Sequence, residues 1–169
     1  MAQREAAVQL DSDPVSIRRM TEHDLLEVVE IEQTCGLSPW GWEAYHAELA
    51  QGSAIMFVAL ASPELAEDGH ALAGYIVARV ISDELHVNNV AVRPRVRRHR
   101  IGTELLHAVL RHGAALGSQA AWLEVRAGNR AAQRLYESCG FQVVGRRRNY
   151  YSFPVEDALI MNAPVGPLP

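Results

Sequence analysis

Ala120-Ala-Trp-Leu-Glu-Val-Arg-Ala-Gly-Asn-Arg-Ala-Ala-Gln-Arg-Leu-Tyr-Glu-Ser-Cys-Gly-Phe141 holds two elements and the turn between them. Ala120 to Val125 is a short apolar run of strand type, interrupted by one carboxylate at Glu124. Asn129 can cap a helix running to Cys139. Gly140 can end that helix, because glycine enters the left-handed conformation without steric cost.

Upstream, Val90-Ala-Val-Arg-Pro-Arg-Val-Arg-Arg-His-Arg-Ile-Gly-Thr103 passes from a strand through an arginine loop into another helix. Ile101, Leu105, Leu106, Val109 and Leu110 fall on one face of it. Before the loop, Ala54 to Ala61, Ala71 to Ile81 and Glu84 to Val92 read as three strands. At the start, Val15 to Met20 alternates as a strand, and Thr21 can cap a helix with Asp24 three residues on. Gly36, Ser38 and Pro39 break that helix, and a shorter one follows from about Trp42 to Leu49. Phe141 to Val144 and Ala158 to Met161 close the pattern as strands. The order β-α-α-β-β-β-α-β-α-β-β predicts an α+β fold, a mixed and mostly antiparallel sheet flanked by helices.

A chain of 169 residues with 49% hydrophobic residues can bury one full core, and the expected domain is 15–163. Residues 1–14 and 164–169 read as flexible termini. No apolar run approaches the ~18 residues needed to cross a bilayer. The first residues lack a secretory stretch, which predicts a cytoplasmic protein without membrane contact. There Cys35 and Cys139 are expected to remain thiols. No Cys, His and carboxylate spacing fits a metal site, so no metal is expected. A net charge of −4 argues against a general nucleic-acid binder.

All 16 basic residues are arginines, and five lie between Arg93 and Arg100. An arginine run is often only a solvated face. Here it precedes a helix whose first amides are unpaired and whose terminus is electropositive, which together suit a pyrophosphate. Gly102 would let the backbone approach such a ligand closely. A P-loop is excluded because the chain has no lysine. A dinucleotide fold would ask for G-x-G-x-x-G, and only Gly102 is present, although Glu124 lies about 20 residues on, where that fold places its ribose-binding acid.

Two residues are candidates for proton transfer. Alternation puts Trp122 and Glu124 on one face of their strand, where partial burial would suit Glu124 to accept a proton. The alternative is a carboxylate satisfied by an arginine such as Arg126, and spacing leaves both open. Tyr136 lies about two turns after Asn129 on the same helical face, as a proton donor or as an amphipathic core tyrosine. Asn129 is either a helix cap or a ligand contact.

Asn129 to Phe141 resembles N-x-x-A-x-x-L-Y-x-x-x-G-F of the GNAT superfamily of acyl-CoA-dependent N-acetyltransferases. Arg97-Arg98-His99-Arg100-Ile101-Gly102 is similar to the family's acyl-CoA loop, Q/R-x-x-G-x-G/A. Ser38-Pro39-Trp40, Leu123 to Asn129, Arg147-Arg148-Asn149-Tyr150-Tyr151 and Glu156 to Met161 resemble the RimI type, which acetylates the N-terminal alanine of a small-subunit ribosomal protein. The resemblance implies acetyl-CoA as co-substrate and a protein N-terminus as acceptor partner. It implies Glu124 as general base and Tyr136 as general acid. Val90, Ala91 and Val92 would offer strand backbone to the cofactor, Arg97, Arg98, His99, Arg100, Ile101, Gly102 and Thr103 would hold its pyrophosphate, and Asn129 would contact it. Trp40 and Tyr150 are the expected acceptor contacts.

One position departs from the resemblance. The first glycine of the loop motif is Arg100 here, a side chain that either obstructs the phosphates or swings outward and adds charge. Competing readings are a GNAT acting on lysine side chains or small amines, and a degenerate GNAT that binds acyl-CoA without catalysis.

Overall fold

The structure is a computed structural model and describes residues 15–66 and 69–166. Residues 1–14 and 167–169, expected as flexible termini, lie outside the described residues. The elements are β1 (Val15–Arg19), α1 (Leu25–Thr34), α2 (Gly41–Leu49), β2 (Ala54–Ala61), β3 (Leu72–Ile81), β4 (Glu84–Val92), α3 (Ile101–Ala115), β5 (Ala120–Arg126), α4 (Arg130–Ser138), β6 (Gln142–Ser152) and β7 (Val155–Pro164). This is the predicted order. The strands form one sheet, β1-β2-β3-β4-β5-β7-β6, antiparallel except between β4 and β5. Parallel neighbours need a crossover, and α3 supplies it.

Each face of the sheet has its own core. Leu105, Leu106 and Val109 of α3 pack with Leu85, Val87, Leu123, Val125 and Met161 on one face, and α4 adds Tyr136. On the other, Leu25, Val28 and Ile31 of α1 and Tyr45 of α2 pack with Met56, Tyr75, Val77 and Ala91. β3 feeds both cores, which is why that strand is apolar almost throughout, while β4 sends Leu85 and Val87 to one core and Ala91 to the other.

Three boundaries differ from expectation. Thr21 opens only a 3₁₀ turn over Glu22–Asp24, and α1 begins at Leu25. Asp24 turns back to accept from the Thr21 amide at 2.7 Å and hydroxyl at 3.0 Å, and Arg18 grips it with two bonds of 2.7 and 2.8 Å. The last two strands are far longer than 141–144 and 158–161: β6 is an edge strand rich in arginine, so it lacks the apolar alternation that marks a strand. The expected tail is also shorter, because β7 runs through Pro164 and Val165 is buried with its amide on the Gln119 carbonyl at 2.8 Å.

α4 ends as expected. Gly140 stands at φ +92°, its amide reaches the Glu137 carbonyl at 3.0 Å, and the Phe141 amide reaches the Tyr136 carbonyl at 3.0 Å. These are the two bonds of a Schellman motif, and the Tyr136 and Phe141 rings complete it with an edge-to-face contact of 6.0 Å. The Tyr-x-x-x-Gly-Phe spacing is therefore a cap that fixes Tyr136 to the core.

Candidate active site

β4 and β5 pair only from Glu84/Ala120 to Val87/Leu123. Beyond that point they part. The cause lies at Asn88: Val87 faces Ala78 and Asn89 faces Val77 on β3, so Asn88 is an extra, bulged residue, and a bulge bends its strand. The opening holds a cavity of ≈ 530 Å³ whose lining includes Asn88, Asn89, Glu124, Arg126, Tyr136 and Tyr151. A second cavity of ≈ 680 Å³ adjoins it, walled by Val90, Val92, Arg97, Arg98, Arg100 and Gly102. Cys35, Leu37, Asn129 and Tyr136 belong to both.

The second cavity fits a diphosphate group. The first intrahelical bond of α3 is Glu104 to Arg100, at 2.9 Å, so the amides of Ile101, Gly102 and Thr103 have no partner within the helix. Arg98 and Arg100 stand at φ +70° and +59°, and neither guanidinium pairs with an acid among the described residues. The left-handed φ explains why a family pattern places glycine at position 100. Arg97 lies along the wall, donating to the Val92 carbonyl at 3.1 Å and the Cys35 sulfur at 3.4 Å. Val90, Ala91, Val92, Ile101, Thr103 and Asn129 also line this space.

Not all of the arginine loop takes part. Arg93 points away, donating to the Leu72 carbonyl at 2.7 Å and pairing with Glu27 and Glu30 at 3.2 and 3.3 Å. With Arg95 it borders a separate hollow of ≈ 320 Å³ beside α1. His99 is absent from the lining, and its Nδ1 sits 3.2 and 3.1 Å from the Val96 and Arg97 carbonyls. Gly102 lines the cavity and also has a packing task. A Cβ there would lie 2.9 Å from the Leu135 side chain of α4, so its bareness lets the two helices close.

Glu124 shares its strand face with Trp122, yet it stands exposed rather than buried beside that ring. Its carboxylate accepts from the Tyr150 hydroxyl at 3.2 Å and pairs with Arg147 at 3.5 Å. Arg126, the neighbour expected to satisfy it, instead pairs with Glu156 at 3.2 Å and stacks on Tyr151 at 4.1 Å. Tyr136 is buried and has no hydrogen-bond partner for its hydroxyl among the described residues. Burial first, and Tyr151 second, push that phenol well above its ordinary pKa, so it stays protonated. Asn129 caps α4 by accepting from the Ala132 amide at 3.1 Å, and lines both cavities as well.

Of the two expected acceptor contacts, Trp40 lines the first cavity, stacked on Tyr45 at 5.3 Å. Tyr150 is not in the lining and meets the site through Glu124, while Tyr151 forms the wall. Asn88, Asn89, Tyr151 and Glu156 are lining residues that the sequence reading passed over. Only the bulge, which has no sequence signature, makes Asn88 and Asn89 neighbours of the site.

A sheet split at a parallel pair, with the unpaired amides of a helix terminus beside the split, is an arrangement that suits an acyl-CoA. Residues 25–141 match the Acetyltransferase (GNAT) family, and the chain belongs to that family. It is an acetyl-CoA-dependent N-acetyltransferase. The chain is 34% identical over 153 residues to the [ribosomal protein bS18]-alanine N-acetyltransferase of Escherichia coli K12, covering 89% of this chain and 98% of that one. It is 35% identical over 166 residues to the N-alpha-acetyltransferase RimI of Mycobacterium tuberculosis H37Rv, covering 92% and 96%. The crystal structure of the E. coli ribosomal-protein-S18-alanine N-acetyltransferase superposes with a TM-score of 0.77 at 31% identity, over 92% of this chain and 96% of that one. Ard1 from Thermoplasma volcanium gives 0.79 at 26% identity, over 90% and 98%.

Proposed function

We propose that this chain acetylates the α-amine of a protein N-terminus, with an alanine-initiated small-subunit ribosomal protein as its acceptor and the cytoplasm as its place of action. The observation that carries the reading is that Glu124 from β5 and Tyr136 from α4 line one cavity at the parting of β4 and β5. The near full-length likeness to the E. coli and M. tuberculosis enzymes supports the acceptor class.

Bound acetyl-CoA supplies an acetyl thioester. Arg97, Arg98 and Arg100 and the amides of Ile101, Gly102 and Thr103 would hold its pyrophosphate, with His99 bracing the turn. Val90, Ala91 and Val92 would hold its arm along β4, and Asn129 would close the near wall. Glu124, steadied by Tyr150 and Arg147, takes a proton from the attacking amine directly or through water. An unpaired N–H of β4 polarises the thioester carbonyl. Tyr136 donates to the departing sulfur.

Energetics favour an α-amine. Deprotonation at pH 7 costs about 1.4 kcal/mol for a pKa near 8 and about 4.6 kcal/mol for lysine, a difference of roughly 200-fold in neutral amine. An exposed glutamate is adequate to the first task and weak for the second. The test is CoA release with an alanine-initiated ribosomal peptide against its N-blocked, lysine-containing counterpart. Preference for the free N-terminus is expected, and preference for the blocked peptide would overturn the reading.

A further inference from the structure

Asn89 shares the first cavity with Glu124 and lies outside the lining of the second. Regular alternation from Leu85 and Val87 would carry Asn89 to the α3 face of the sheet. The bulged Asn88 reverses this: Asn89 meets Tyr45 on the α1–α2 face, Val90 returns to the α3 core, and Ala91 packs against α1 and α2.

Behind Asn89 stands a buried chain of hydrogen bonds. The Glu32 carboxylate of α1 is 1% exposed and ringed by donors: the amides of Trp40 at 2.8 Å and Gly41 at 3.1 Å, and the Tyr45 hydroxyl at 2.6 Å. A phenol carries one proton, and Tyr45 gives it to Glu32. The Tyr45 oxygen can then only accept. The Tyr75 hydroxyl, 2.8 Å away, is therefore the donor in that pair, and Asn89 must offer Tyr45 its NH₂ group, at 2.8 Å, and not its carbonyl. Chemistry so removes the two-fold ambiguity of the amide. Asn89 Oδ1 is left as an acceptor with no partner among the described residues, and it is not sealed off from the cavity.

A primary amine approaching Glu124 brings two N–H bonds, of which the base takes one. We infer that Asn89 Oδ1 receives the other, orienting the acceptor nitrogen, and that Glu32 and Tyr45 are positioning residues that hold the Asn89 amide for this task. The inference rests on the proposed reaction and adds a specificity to it: acceptors with two amine hydrogens should be preferred over those with one.

The test compares an alanine-initiated peptide with its N-methylalanine counterpart, using the full chain and its Asn89→Ala and Tyr45→Phe variants, with acetyl-CoA affinity measured by calorimetry. Asn89→Ala should lower kcat/KM for the alanine peptide by about 10- to 100-fold, the scale of one hydrogen bond at a reacting group. It should leave the N-methyl peptide and acetyl-CoA affinity within about twofold, the range of a group making no contact with either. Tyr45→Phe frees the amide to turn, so it should lose in the same direction, and the double variant should lose no more than Asn89→Ala alone. If Asn89→Ala fails to fold, Tyr45→Phe carries the comparison. Equal losses on both peptides, a parallel loss of acetyl-CoA affinity, or unchanged kinetics would overturn the inference alone. A wild type inactive on the alanine peptide would overturn the proposed function, and this inference with it.

Discussion

Replacing Arg100 by glycine separates the backbone's demand from the side chain's charge at the place where the phosphate loop departs from its family. Arg100 stands at φ +59° immediately before α3. A left-handed residue with a Cβ costs about 1–2 kcal/mol, which glycine would return. Against this, glycine loses about 0.5–1 kcal/mol more entropy on folding. The net gain is about 0.5–1 kcal/mol, or a rise in Tm of about 1–4 °C for a chain of this size. The same change removes a guanidinium from the second cavity. Its side chain is exposed, so its attraction to a phosphate is worth about 0.5–1 kcal/mol, a two- to fivefold weakening of acetyl-CoA binding. The assay is thermal unfolding of both forms without ligand, then calorimetric titration of each with acetyl-CoA. A lower Tm in the variant would refute the backbone reasoning. Undetectable binding by the wild type would refute the accommodation of Arg100, and a gain above about tenfold in the variant would show that the side chain obstructs the site.

Tyr136→Phe should lower kcat by about 10²- to 10⁴-fold while Tm and acetyl-CoA affinity change little, because the hydroxyl has no protein partner among the described residues; equal turnover in both forms would remove the acid role. Gly102→Ala should destabilise by about 0–2 kcal/mol in denaturant titration, since its methyl meets the Leu135 side chain at 2.9 Å while alanine regains about 1 kcal/mol of helix propensity. For Asp24, burial opposes ionisation, but the Arg18 pair and the Thr21 amide and hydroxyl outweigh it and hold the carboxyl below its ordinary pKa. A lowered folded pKa means the stabilisation is present above the unfolded value of about 3.9 and lost as pH falls through the folded one. Asp24→Asn should therefore cost about 1 kcal/mol at pH 7, discounted because Arg18 is 41% exposed, and should flatten the fall of stability below about pH 4.

The segments readable from the sequence are those whose structure is set locally. Asn129 as cap and Gly140 as terminator fix α4 by backbone bonds to near neighbours, so Tyr136 could be placed before any partner was known. The apolar stripe of α3 likewise declares its buried face. What stayed hidden depends on partners distant in the chain. Glu124 is served by Arg147 and Tyr150, which reach it only because β6 folds back over β7 as a polar edge hairpin. Arg93 and Arg98 look alike in the arginine loop, yet Glu27 and Glu30 on α1 turn one away from the site. The splay of β4 from β5, which makes the cavity, follows from a single extra residue in a strand that otherwise reads as regular.

Acetylation of protein N-termini can be read by mass spectrometry of N-termini from cells with and without this protein. An alanine-initiated N-terminus, a ribosomal protein's among them, should lose its acetyl group when the protein is absent. Unchanged N-termini with acetylation lost from lysine side chains would contradict the proposed function.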